Sequence, residues 1–135
     1  MSSASKSKKF QYTKFDMEML KKFELLKQGA EAKVYIGTYD QHDNPTEIVN
    51  VVVKERFEKT YRHPELDRAL TSKRIKNEVK LLIRVKQLEI NVPSVVKADL
   101  ANGVICMEHI QNSMTCREFI IKIVKVKWFI YKWSK

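Results

Sequence analysis

Glycine and proline are scarce, three of each in 135 residues, and cysteine is scarcer, with Cys106 and Cys116 alone. Such a chain is neither a collagen nor a mucin-like stalk nor a loop-dominated disulfide scaffold. The two cysteines stand at neither C-x-x-C nor metal-ligand spacing, so free thiols in a reducing compartment are expected. No apolar run approaches the roughly 20 residues of a spanning helix. Residues 1–9 lack the apolar stretch of a secretory signal, and Ser2 stands where myristoylation requires glycine. These absences predict a soluble intracellular protein with no membrane role. Acidic residues are missing from both ends: residues 1–9 hold three Lys and no acid, and residues 121–135 hold five Lys and no acid. Of the net charge of +10, the body from 10 to 120 therefore carries only +2, from 18 basic and 16 acidic residues. Basicity confined to the ends is weak support for a nucleic-acid-binding face on the domain itself.

What is present suits one small domain with a core: 44% of the residues are hydrophobic and 31% charged. Residues 1–22 read as a basic, largely disordered tail ending in a short helical turn over 15–22. Residues 24–28 and 33–39, joined by the tight turn Gly29-Ala30-Glu31-Ala32, read as two strands. Asp40 to Pro45 reads as a turn, and the β-branched run Ile48 to Val53, ending in Lys54, as a third strand. From Leu66 the period changes to that of a helix, with Leu66, Leu70, Ile75, Val79, Leu82 and Ile83 on one face and Thr71-Ser72 as a cap or break. Asn91-Val92-Pro93 is expected to stop it. Residues 95–99 and 103–108 supply two more strands around Ala101-Asn102-Gly103. The expected fold is α+β, a five-stranded antiparallel sheet carrying one main helix.

Lys54 closes an apolar strand, and Glu78, between Ile75, Val79 and Leu82, projects from the apolar helix face. A carboxylate there must find a partner, because an unpaired buried charge costs several kcal/mol. In protein kinases a strand lysine and a helix glutamate form the ion pair that holds the lysine on the nucleotide phosphates. Either residue alone is weak evidence, since a lysine at a strand end is usually solvated. His63 and His109, far apart and with no nucleophile near in sequence, read as structural or exposed.

Three stretches carry a closer resemblance: Lys27-Gln28-Gly29-Ala30-Glu31-Ala32-Lys33-Val34-Tyr35, then Val53-Lys54-Glu55-Arg56-Phe57, then Tyr61-Arg62-His63-Pro64-Glu65-Leu66-Asp67 with Glu78. They resemble the PRPK family, the atypical serine/threonine kinase subunit of the KEOPS (EKC) complex, which supports threonylcarbamoyladenosine synthesis on tRNA. The resemblance covers residues 23–120, a kinase-like amino-terminal lobe and hinge with no carboxy-terminal lobe. It implies ATP as ligand. Gly29, Ala30, Glu31 and Ala32 would form the phosphate loop, with main-chain N–H groups approaching the phosphates, and Leu26, Lys27 and Gln28 would also be ATP-binding. Val34 and Val52 would enclose the adenine, Lys54 would meet phosphate oxygens, and Glu78 would orient Lys54. Met107 would be the gatekeeper, and main-chain groups of Glu108 and Ile110 would meet the adenine edge. The implied partners are KEOPS subunits, especially the small subunit that docks on this lobe, with tRNA reached indirectly, and the implied location is cytoplasm and nucleus.

Phosphoryl transfer also needs a base Asp, an Asn and a DFG-type Asp for Mg²⁺. No Asp follows Asp99, and the only later acids are Glu108 and Glu118. No catalytic residue is identified in the chain, and the Mg²⁺ expected for the family has no evident ligands. These absences predict a truncated chain, inactive alone, and favour as the alternative function an inactive module that docks a KEOPS subunit. Residues 121–135 do not resemble the family. Their Lys, Ile, Trp and Tyr read foremost as an accidental, out-of-frame end, and otherwise as a basic membrane-surface helix or nucleic-acid arm.

Overall fold

The computed structural model describes residues 9–40 and 48–134. Residues 1–8 of the expected tail, and residues 41–45 of the expected turn, lie outside the described residues. The element order is α1 (Met17–Leu20), β1 (Glu24–Gln28), β2 (Lys33–Asp40), β3 (Ile48–Glu55), α2 (Pro64–Gln87), β4 (Val95–Asp99), β5 (Val104–Glu108) and α3 (Cys116–Trp133). The five strands form one sheet in the order β1-β2-β3-β5-β4, and every neighbouring pair is antiparallel.

Alternation along β3 divides the core in two, because successive side chains leave a strand on opposite faces. Val51 and Val53 are fully buried on one face, with Val104 and Cys106 of β5. On the other face Ile105 of β5 and Ala98 of β4 pack against Ile75 and Val79 of α2. Cys106 lies so deep that burial pushes its thiol up to about 12, whereas Cys116 is exposed.

The helix α2 starts with proline in its first turn, where a missing N–H costs nothing, and places Glu65 and Asp67 early and Arg84 and Lys86 late, each sign suiting the helix dipole. It is unbroken. Thr71 and Ser72, expected as a cap or break, lie half-buried inside it. It also ends before Asn91-Val92-Pro93, at the Leu88 cap, where Glu89 turns the chain with φ 60°.

The amino-terminal segment differs most from expectation. Residues 10–22 are no loose tail: Phe10 and Tyr12 pack against the α2 core, and the Thr13 N–H donates to the Ala98 carbonyl at 3.0 Å. The chain then crosses to the opposite face, where Phe15, 1% exposed, stacks on Tyr39. Asp99 anchors this crossing. One carboxylate oxygen accepts the Phe15 N–H at 2.7 Å, and the other accepts the Ala101 and Asn102 N–H groups that open the β4–β5 turn. Burial pushes the Asp99 carboxyl up, but these donors and the Asn102 side chain outweigh it and hold it below its ordinary value. In the same turn Gly103 has φ +69°, and a Cβ there would lie 2.7 Å from the Arg56 carbonyl, so no other residue fits without strain.

The helix α3 opens with a capping box between Thr115 and Glu118 and has no buried residue. Residues 121–133 continue this helix. Among the described residues no helix is long and apolar enough to cross a membrane.

Candidate functional site

Residues directly paired across antiparallel strands project to the same face. Val34 pairs with Lys54 and Lys54 with Ile105, while Ile36 pairs with Val52 and Val52 with Met107. Ile105 belongs to the cluster under α2. Val34, Val52, Lys54 and Met107 therefore share the sheet face that α2 covers in part.

Lys54 and Glu78 meet there. The Lys54 ammonium lies 2.8 Å from one Glu78 oxygen, with both side chains about three-quarters buried. The second Glu78 oxygen is held by the Arg56 guanidinium at 2.9 Å. Burial acts most strongly on the Glu78 carboxyl and pushes it up, but hydrogen bonds and charge from Lys54 and Arg56 together hold it below its ordinary 4.5. Arg56 was not read from the sequence as part of this pair. The signal was available, since residues 54 and 56 are two apart and a strand's side chains alternate with period two. The Arg56 Nε is buried and has no hydrogen-bond partner among the described residues.

The turn before β2 is the next part. The Gly29 N–H donates to the Ala32 carbonyl at 2.9 Å, which closes the turn and engages an N–H that the kinase resemblance assigned to phosphate. Gly29 has no positive φ, and an added Cβ would meet only the Ala32 carbonyl at 3.8 Å. Its lack of a side chain is therefore not demanded by this backbone. Lys27 and Gln28 pair with Val34 and Lys33, whereas Leu26 falls at an irregularity in the β1–β2 ladder and is 60% exposed. The turn is tied to the helix side: Arg74 of α2 holds Glu31 at 2.9 Å, and the Lys59 ammonium donates to the Ala30 carbonyl. Lys59 is 9% exposed, its backbone N–H donates to Asp67 at 3.1 Å, and its ammonium stands 3.9 Å from the centre of the Phe57 ring. Sequence reading missed Lys59, because a lysine in a polar segment gives no sign of burial.

At the end of β5 the Glu108 N–H donates to the Ser94 carbonyl at 2.8 Å, and its carboxylate accepts the Ser94 N–H. The Ile110 carbonyl accepts the Ser113 hydroxyl. His63 caps α2 without a side-chain hydrogen bond, and His109 bonds through its backbone to Asn50. Among the described residues no group of three or more His, Cys, Asp or Glu is placed to hold a metal ion.

No family model matches the sequence. Individual proteins do. The KEOPS complex subunit Bud32 of Pyrococcus abyssi is 42% identical over 90 residues, 65% of this chain and 40% of that protein. The EKC/KEOPS complex subunit Tp53rkb of Mus musculus is 39% identical over 97 residues, 72% of this chain and 37% of its own length. The EKC/KEOPS complex subunit bud32 of Dictyostelium discoideum is 41% identical over 98 residues, 73% of this chain and 36% of that protein. The chain thus spans about two fifths of the length of these curated relatives.

Proposed function

We propose that this chain, a relative of the Bud32 and Tp53rkb subunits through the PRPK family, is the ATP-binding lobe of a PRPK-like serine/threonine kinase or ATPase of KEOPS. In that role it serves threonylcarbamoyladenosine modification of tRNA. The observation that carries the reading is the formed Lys54–Glu78 pair, at 2.8 Å, on the sheet face that also bears Val34, Val52 and Met107. An apolar face beside a positioned cation suits a flat base joined to phosphates.

ATP, when bound, supplies an activated phosphoryl group; the chain's own residues hold it. Glu78 holds the Lys54 ammonium at 2.8 Å, so little conformational freedom is lost when it meets an anion. Val34 and Val52 exclude water from the base, and Met107 limits its depth. Glu108 and Ile110 would offer main-chain groups to its edge. Mg²⁺ does not fit these residues. The Asp99 carboxylate is engaged by Phe15, Ala101 and Asn102, and that of Asp67 by Lys59 and Arg62. No phosphoryl-transfer step follows from this chain's residues, and that favours the second reading, an inactive module docking another KEOPS subunit.

The proposed partners are other subunits of the complex, the small subunit on this lobe among them, with tRNA reached indirectly, in cytoplasm and nucleus. The relatives' names as complex subunits support the partnership. Calorimetric titration of the full chain with ATP and with adenosine tests the nucleotide reading. ATP is expected to bind more tightly than adenosine, with the difference reduced in Lys54→Ala; equal binding of both by the unsubstituted chain contradicts the reading.

A further inference from the structure

Lys59 is the most buried lysine described, and its partners are the wrong kind for a cation. It is 9% exposed, and its ammonium is satisfied by the Ala30 carbonyl and the face of the Phe57 ring. No carboxylate lies within 4.0 Å of it among the described residues, although Lys54, Arg56, Arg62 and Arg74 each have one. A cation taken out of water without an anion is costly, and a neutral carbonyl and an aromatic face offset only part of that cost. A second lysine, Lys33, stands 5.7 Å from the centre of the same ring. Two lysines thus flank the Phe57 ring beside the Gly29–Ala32 turn, and the turn's own carboxylate, Glu31, is taken by Arg74.

The place is specific. The tip of the turn is held by Arg74 through Glu31, and Glu78, which holds Lys54, lies four residues further along α2 on the same side. One helical turn, about 5.4 Å, separates the two anchor points along the helix. Lys59 thus reaches the turn directly, while Lys54 pairs in register with Val34, two residues past it.

We propose that Lys59 is a second phosphate-binding residue of the site, whose ammonium exchanges the Ala30 carbonyl for an oxygen of the terminal phosphate of a nucleoside triphosphate. The anion missing from its surroundings is then the ligand's own. The exchange also frees the Ala30 carbonyl and loosens the turn over the phosphates, so the loop responds to the presence of the last phosphate. Lys59 confers preference for triphosphate over diphosphate, while Lys54 serves both. This rests on the nucleotide reading above.

The test compares ATP, ADP and adenosine binding to the full chain by titration calorimetry, unsubstituted and as Lys59→Met and Lys59→Arg. Methionine keeps the apolar stem over Phe57, and arginine keeps the charge. Lys59→Met is expected to weaken ATP by about tenfold or more, as for loss of one charge-assisted hydrogen bond, with ADP changed little and adenosine unchanged. Lys59→Arg is expected to retain much of the triphosphate preference. Unchanged ATP-to-ADP selectivity in Lys59→Met, or an equal loss for all three ligands, overturns the Lys59 role and leaves the nucleotide site standing. Failure of the unsubstituted chain to prefer ATP over adenosine overturns the nucleotide reading and this one with it.

Discussion

At Glu78 a carboxylate three-quarters buried is shared between two cations, and the second changes what substitution should do. Removing Lys54 leaves Glu78 with Arg56, whereas removing Glu78 strands both cations at once. Glu78→Gln should therefore cost more stability than Lys54→Met, by the penalty of one further uncompensated charge. The pH dependence has a definite sign. The carboxyl titrates below its ordinary 4.5 in the folded chain, so as pH falls the unfolded chain takes up the proton first. The pair contributes stability above that ordinary value and loses it as pH falls through the lower folded one. Glu78→Gln is expected to lower the unfolding free energy by about 1–2 kcal/mol at pH 7, with the gap to the unsubstituted chain closing in acid. Urea unfolding at a series of pH values measures this, and a gap that stays constant to about pH 3 contradicts it.

Among the elements, the amino-terminal segment carries the clearest consequence. Phe15 fills the core of the face opposite α2, and its N–H is held by Asp99, so residues 10–22 are part of the lobe. Phe15→Ala is expected to cost about 3–5 kcal/mol, as truncation of a buried aromatic does. Lys21→Ala, whose pair with Glu18 is exposed on both sides, should change stability by less than about 0.5 kcal/mol. Denaturant midpoints decide, and a Phe15→Ala loss near that of Lys21→Ala would show the segment to be dispensable. The strands were legible because runs such as Ile48 to Val53 and turns such as Ala101-Asn102-Gly103 are local signals. Glu78 was legible because helical periodicity assigns it a face. The Phe15 site was not, because the Asp99 that secures it lies 84 residues away and a lone aromatic after a basic stretch has no period to read. Lys59 was hidden because its partners come from other elements and a lysine in a polar segment has no period to read, whereas Arg56 could have been placed from its two-residue spacing to Lys54. The helix ends before the point that Pro93 implies, because Glu89 adopts a left-handed backbone with no glycine to announce it.

At the scale of the molecule, a packed lobe and an unpacked helix are joined in one chain. The helix α3 exposes Phe119, Ile120, Trp128, Phe129, Tyr131 and Trp133 and buries none of them. An exposed apolar surface of that kind binds hydrophobic dyes and promotes association. A chain ending at Ile120 is expected to unfold within about 0.5 kcal/mol of the full chain and to lose most of its dye binding; a loss above about 2 kcal/mol would show that α3 packs on the lobe. The lobe itself depends on α2 docking against the sheet in the geometry that joins Lys54 to Glu78. A double-mutant cycle on Lys54→Met and Glu78→Gln, by chemical unfolding of the full chain at pH 7 without nucleotide, measures that docking most directly. The two changes should be non-additive, with a coupling of about 1 kcal/mol or more, because Lys54→Met removes a partner of Glu78 where the carboxylate is present but relieves an uncompensated cation where Glu78→Gln has already been made, Arg56 keeping the same state on both sides of that comparison. Additive effects would mean that sheet and helix do not share this ion pair, and would contradict the assignment of both residues.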